Sequence, residues 1–486
     1  MRNSLSLVFM MCAASALADT GTWNSAALGA DIAYVSNAAS AQAVTDVNGK
    51  PMTIVYLENL GFQKLGQNTN AEDVAWLRAQ GYQVIELNYG GNKNAVSPNL
   101  NQDIAAINTA LKGGSFCNTT CSEYRSYVLM EGYRIARDVA YYLDAPTIYN
   151  FPDVYRDSAG DSLYLDLVYP ANASVEVPVL VTFSYSNSFA TNEGGKLTAK
   201  NKHKRMYLPY YWGGFNDTFV EGASAVGFAW AVCDHPKYCD WGQGKYTGGA
   251  NKSLGAIEVN PDASRKVKSA IRTVRGLGKS LGLNGQVAVT GFSRGSTAAS
   301  LAVGDKSVAD LEEASRGRFA NEDSHVSCAL LGPGVFDYAR MTETSREYKN
   351  MKAYVSANPT FGWEMQSALY TIGTKASAPC LFFYNSDDDA NYKTCAEAMK
   401  ALLDSLGVET EVIRDYGTGH SVPQSAAHLK QMYDFLLQHT SQKTGTSVLD
   451  CPTDKVEECF DLEGRKIATE PSKWAINSRK RLIKQN

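Results

Sequence analysis

The chain has 486 residues, 44% of them hydrophobic and 20% charged, with 40 Gly and 15 Pro. At about 150 residues per domain this allows two or three ordinary cores, and the mix is too apolar for disorder. Lys+Arg 46 against Asp+Glu 50 leaves a formal charge of −4, no field for nucleic acid, and the six histidines fall into no CxxC repeat or HExxH zinc pattern.

Arg2 and the apolar run from Leu5 to Ala16 precede Ala16-Leu17-Ala18, the small-x-small pattern of an export signal. Residues 1–18 are expected to be a signal peptide, the mature chain to begin at Asp19, and the protein to be secreted or periplasmic. No later run has the roughly 20 apolar residues of a membrane span, so no membrane insertion is expected. Export permits disulfides. Beyond Cys12 nine cysteines remain, and proximity suggests Cys117 with Cys121, Cys233 with Cys239, and Cys451 with Cys459. An odd count leaves at least one thiol free, and the alternative is that all are free. Cys380 opens a strand and Cys395 lies in the helix beyond its top, so these two are not expected to bridge.

From Met52 the pattern reads βαβαβ: strands at 53–57, 83–87 and 127–130, with helices starting at Asn70 and Asn101. No Gly-x-Gly-x-x-Gly joins strand to helix, so residues 19–150 are expected to form an α/β accessory module without chemistry. Residues 151–440 are expected to form a second α/β domain. Its strands are read at 163–169, 179–183, 225–233, 286–290, 326–331, 380–384 and 409–413. Wholly apolar strands such as Val179–Phe183 imply helices on both faces, hence a doubly wound, mostly parallel sheet. Residues 441–486 read as a polar linker and a tail.

Chemistry is concentrated at three strand ends. Gly291-Phe292-Ser293-Arg294-Gly295 lies between a strand and a helix, the setting of a nucleophile elbow. Glycines flank the serine because the turn leaves no room for side chains. A serine hydroxyl needs a base, and in this arrangement an acid and then a histidine follow. Asp387, Asp388 and Asp389 follow the strand at 380–384, and His420 sits in a Gly-rich loop after 409–413. The expected catalytic residues are Ser293, His420 and one of the carboxylates Asp387, Asp388 and Asp389. The backbone N–H of Arg294 is expected in the oxyanion hole, with a second donor at Tyr185 or Ser186. No metal or cofactor is expected.

Segment 163–440 resembles the α/β-hydrolase superfamily, nearer its esterase and prolyl-oligopeptidase-like branches than its lipases. The resemblance rests on Leu165-Asp166-Leu-Val-Tyr-Pro170, the Ser293 elbow, Asn385-Ser-Asp-Asp388 and Gly419-His420. Asn385 stands where the family's acid loop carries Gly, and Ser184-Tyr185-Ser186-Asn187 where many esterases carry His-Gly-Gly. The resemblance implies Asp388 as the acid. The tail from Phe460-Asp461-Leu462-Glu463-Gly464-Arg465 resembles the C-terminal tails of many secreted Bacteroidetes proteins, or else is a small hairpin.

These readings predict a secreted serine carboxylic-ester hydrolase acting on an acylated carbohydrate or small ester. The alternatives are a serine peptidase and a non-catalytic binding module. The loop from Ser184 to Glu221 is rich in Gly, Asn, Lys and Tyr and poor in aliphatics, which disfavours a long acyl chain. Trp212, Trp241, Tyr207, Tyr210 and Tyr211 either line a pocket or pack among loops.

Overall fold

The computed structural model describes residues 18–46, 49–61, 69–96, 99–122, 126–143, 163–171, 177–183, 228–234, 258–423 and 425–440, plus four short strands between 459 and 484. Residues 1–17 of the expected signal peptide, the segment 184–221, the aromatic residues Tyr207, Tyr210, Tyr211, Trp212 and Trp241, and most of the tail lie outside these.

The fold is α/β, built on two mixed sheets. The first contains β1 (Asp19–Ser25), β2 (Ala30–Asn37), β3 (Thr53–Glu58), β4 (Gln83–Asn88) and, after a separate small hairpin β5 (Ser115–Phe116) and β6 (Thr119–Thr120), β7 (Tyr127–Met130), in the order β1-β2-β4-β3-β7. Helices α1 (Asn70–Ala79) and α2 (Asn99–Lys112) connect β3 to β4 and β4 to β7, so these three strands run parallel. Thr69, one residue before the expected cap, starts α1. Its hydroxyl accepts from Glu72 N–H while Glu72 returns a bond to Thr69 N–H, which satisfies two orphan donors at once. The hairpin β1–β2 lay outside the sequence reading because its residues are mostly polar and exposed.

The second sheet contains β8 (Tyr133–Tyr142), β9 (Leu163–Pro170), β10 (Val177–Phe183), β11 (Ala229–Cys233), β12 (Leu283–Gly291), β13 (Cys328–Leu331), β14 (Cys380–Tyr384) and β15 (Thr410–Arg414). Their order is β8-β9-β11-β10-β12-β13-β14-β15. Only β9 is antiparallel to both neighbours, and β10 to β15 all run parallel. β8 belongs to this sheet although its sequence lies within 19–150.

Alternation divides the buried side chains of the second sheet between two clusters. Val179, Val181, Ala229, Val287, Val289 and Phe382 face helices α3 (Asp262–Leu281), α4 (Arg294–Ser300), α5 (Arg346–Ala357) and α6 (Ala390–Ser405). Leu180, Trp230, Ala288, Leu330 and Phe383 face α7 (Ala426–Thr440) and share their cluster with Ile54, Leu57 and Val84 of the first sheet. The second face is thus closed by one helix and the N-terminal sheet together, where the sequence suggested helices. The two sheets are stitched by Tyr127 of β7, whose hydroxyl donates to Asp166 of β9 and whose ring lies 4.5 Å from the Arg137 guanidinium of β8. Burying each Leu or Val in such a core is worth about 1.5–3 kcal/mol.

Cys117 and Cys121 are free thiols here, which corrects the expected bridge. Cys117 lies at φ 48 in the turn between Ser115–Phe116 and Thr119–Thr120, while Cys121 is buried after that hairpin. Burial, with the nearby charge of Asp19, pushes the Cys117 thiol up to about 12. Such a thiol makes little nucleophilic thiolate. Cys380 and Cys395 are separate thiols. Cys239 and Cys451 lie outside the described residues. In the tail, Cys459–Phe460 pairs with Lys466–Ile467, and Trp474–Ile476 with Leu482–Lys484. Among the described residues no helix is long and apolar enough to cross a membrane.

Candidate active site

The C-terminal ends of β12, β14 and β15 open on the same edge of the parallel sheet, where ligands of open α/β sheets bind. β12 delivers Ser293 at φ 55 and ψ −124, a conformation costing a non-glycine residue about 1–3 kcal/mol. The turn is forced by its neighbours. A Cβ at Gly291 would overlap the Gly295 backbone, and one at Gly334 would crowd the Ser293 carbonyl. Helix α4 starts immediately afterwards, with Gly295 N–H bonded to Phe292 O at 2.9 Å and Ser296 N–H to Ser293 O at 3.0 Å. Among the described residues neither the N–H of Arg294 nor the hydroxyl of Ser293 has a hydrogen-bond partner. An unengaged N–H at a helix start beside a hydroxyl suits a developing oxyanion.

Behind the elbow the Arg294 side chain is buried. Its Nη1 lies 2.8 Å from Glu258 Oε2 and 3.3 Å from the Tyr338 hydroxyl, which itself donates to Glu258 Oε2 at 2.7 Å. Burial favours loss of the guanidinium charge, but the Glu258 carboxylate outweighs it and holds the group ionised. Burial and the same carboxylate push the Tyr338 phenol well up, so it remains a donor. Breaking a buried ion pair of this kind typically costs about 3–5 kcal/mol. The sequence reading used only the Arg294 N–H. Glu258 and Tyr338 are 36 and 44 residues away, and no local pattern signals them.

β14 and β15 bring the acid and the base together. Asp388 Oδ2 lies 2.8 Å from His420 Nδ1, with 7% of the Asp388 side chain exposed against 34% of His420. The neighbouring carboxylates serve elsewhere. Asp387 Oδ1 accepts from Gly419 N–H at 2.8 Å, and Asp389 caps α6 by accepting from Asn391 N–H at 2.9 Å. The imidazole lies between two rings, Phe292 at 4.6 Å and Tyr392 at 5.1 Å between centroids. Phe292 directly precedes Ser293, so that contact sets the base beside the serine. The structure has no hydrogen bond between Ser293 and His420. Catalytic bonds in sites without substrate are commonly long and tighten on binding. Burial, with Glu347 nearby, raises the Tyr392 phenol and keeps it neutral beside the ring. The expected donors Tyr185 and Ser186 lie outside the described residues. Among the described residues no group of three or more His, Cys, Asp and Glu side chains is placed to hold a metal ion.

Neither a protein-family profile nor a curated protein matches the sequence. Solved structures do share part of its shape. A truncated carbohydrate esterase from gut microbiota is 18% identical, with TM-score 0.44, covering 64% of this chain and 98% of the other. A butyrate-bound esterase from the Planctomycetes species Thermogutta terrifontis is 18% identical, with TM-score 0.40, covering 60% and 95%. An acetyl ester-xyloside bifunctional hydrolase from Caldicellulosiruptor lactoaceticus is 16% identical, with TM-score 0.39, covering 61% and 96%. These neighbours are esterases; likeness at this level carries nothing about what this chain hydrolyses.

Proposed function

We propose that the chain is a secreted serine carboxylic-ester hydrolase of the α/β-hydrolase type. The observation that carries the reading is the conjunction at three parallel strand ends: a strained Ser293 with an unengaged Arg294 N–H beside it, and an Asp388–His420 pair at 2.8 Å. In this mechanism Ser293 Oγ attacks the ester carbonyl carbon as His420 Nε2 takes its proton. Asp388 accepts from Nδ1–H, holds that tautomer and stabilises the imidazolium. The tetrahedral oxyanion accepts from Arg294 N–H. Collapse breaks the carbonyl carbon–alkoxy bond, and His420 returns the proton to the departing alcohol. Water then attacks the acyl-serine with His420 again as base, releasing the carboxylic acid and free Ser293.

We further propose short or aromatic acyl groups on a carbohydrate as the substrate class. The support is the composition of the loop from Ser184 to Glu221, which offers little aliphatic surface, whereas each buried methylene of a long acyl chain contributes about 0.8 kcal/mol. A series of p-nitrophenyl esters from acetate to palmitate tests both levels. Activity is expected to be highest at acetate to butyrate. A rise beyond octanoate contradicts the substrate class, turnover of peptide amides alone moves the chain to a serine peptidase, and failure of a fluorophosphonate probe to label Ser293 leaves a binding module.

A further inference from the structure

The segment carrying His420 has little of its own to hold it. Residues 416–420 form bends, His420 is exposed, Gly419 sits at φ +56 and Asp415 at φ 53. A free loop of this kind samples many conformations, and each residue ordered costs about 1–2 kcal/mol of backbone entropy. The buried side chain that makes the most bonds to it lies at the end of β14. Asn385 is 1% exposed. Its Nδ2 donates to Gly419 O at 2.8 Å and to Ser421 Oγ at 3.0 Å, and its Oδ1 accepts from Gly417 N–H at 3.0 Å. Gly419 precedes His420 and Ser421 follows it, so the amide grips both flanks of the imidazole. The Asp387 bond to Gly419 N–H and the 2.6 Å bond from Tyr416 OH to Ser421 O complete the seat.

We infer that Asn385 is the positioning residue of the Asp388–His420 pair: its amide fastens the base loop to the acid strand so that Nδ1 meets Asp388. The inference rests on His420 acting as the base. The chemistry demands an amide, because the position faces a carbonyl on one side and an N–H on the other. A carboxylate would satisfy Gly417 N–H but set oxygen against Gly419 O. Glycine or alanine would leave Gly419 O and Gly417 N–H without this partner. This gives a reason for Asn where the resembled family has Gly: here the loop is tied by a side chain.

The test compares Asn385→Ala and Asn385→Asp with the full-length wild-type chain, using p-nitrophenyl acetate and the ring ¹H–¹⁵N signals of His420. Both variants are expected to lose about 10- to 100-fold in kcat, as misplacement of a reacting group by an ångström does, with KM held within about twofold. The His420 Nδ1–H signal, sheltered by its bond to Asp388, is expected to broaden or vanish in both. A kcat within about twofold of wild type, or an unaltered ring signal with only the melting temperature lowered, overturns the inference. If the alanine variant fails to fold, the isosteric aspartate variant decides. Should the wild type turn over no ester, the esterase reading fails, yet the ring signal still decides whether Asn385 aligns the pair.

Discussion

The two sheets each place a residue with positive φ at the end of a parallel strand, and the contrast between them separates scaffold from site. Asn59, after β3, has φ 52, close to the φ 55 of Ser293 after β12. At Asn59 the residue's own N–H, side-chain amide and carbonyl are engaged. Its N–H donates to Glu131 Oε2 at 3.0 Å, its Nδ2 to Asn88 Oδ1 at 3.0 Å, and its carbonyl accepts from Gly91 N–H at 2.6 Å. Asn also tolerates the left-handed region better than Ser does. At Ser293 the hydroxyl and the next N–H stand unengaged, and the strain rests on a residue poorly suited to it. A similar φ after a parallel strand thus belongs to a hydrogen-bonded joint in one sheet and, among the described residues, to a joint with open groups in the other, so function is argued from the groups left open.

Replacing Ser293 with Ala breaks the open joint most completely. Hydrolysis of p-nitrophenyl acetate should fall by more than about a thousandfold and by up to about 10⁶, with the fold retained on circular dichroism. Next in size is Asp388→Asn, which should lower kcat by about 10⁴ by presenting the wrong hydrogen-bond partner to Nδ1–H. Asp387→Asn should cost far less and Asp389→Asn least, since one carboxylate holds Gly419 N–H and the other caps α6. A reversed order would mean the acid is not Asp388.

At the closed joint the expectation inverts. Asn59→Ala loses the Asn88 bond and puts alanine at positive φ, so stability should drop by about 1–2 kcal/mol by urea unfolding while kcat stays unchanged. A changed kcat would show that the N-terminal sheet reaches the site energetically. The smallest effect lies beyond the far end of α4, where Asp305 accepts from Gly373 N–H, Thr374 N–H and Ser377 Oγ at 2.7–3.0 Å. Its carboxyl is held below the usual range because these hydrogen bonds outweigh burial, which alone would raise it. A lowered folded-state pKa stabilises above the unfolded value near 3.9 and loses that contribution as pH falls through the folded value. Asp305→Ala should therefore melt below wild type at pH 7, and the gap should narrow below about pH 4.

Much of this molecule was legible in local pattern. The apolar runs of β10 to β14 announced buried parallel strands because helix- and sheet-covered faces need apolar side chains on both sides. The elbow was legible because its steric demand is met within five residues, Gly291 to Gly295. Asp388 and His420 were recoverable from their positions after strands, an argument of order along the chain. What local pattern could not carry was anything held by distant partners. β8 escaped because an edge strand that alternates only partly, broken by Asp138 at φ 53, has a weak signature. The Arg294–Glu258–Tyr338 cluster and the grip of Asn385 on Gly417, Gly419 and Ser421 join residues more than thirty positions apart.

By itself, then, the order of residues determined which strand ends carry the candidate site residues, since turn sterics and hydrophobic period act over a few neighbours. Which of three adjacent carboxylates meets the imidazole was decided only by the tertiary structure. That choice depends on how β14 and β15 lie side by side, with Tyr384 level with Arg414. The register of two packed strands is set by the whole core beneath them, and no stretch of sequence contains it.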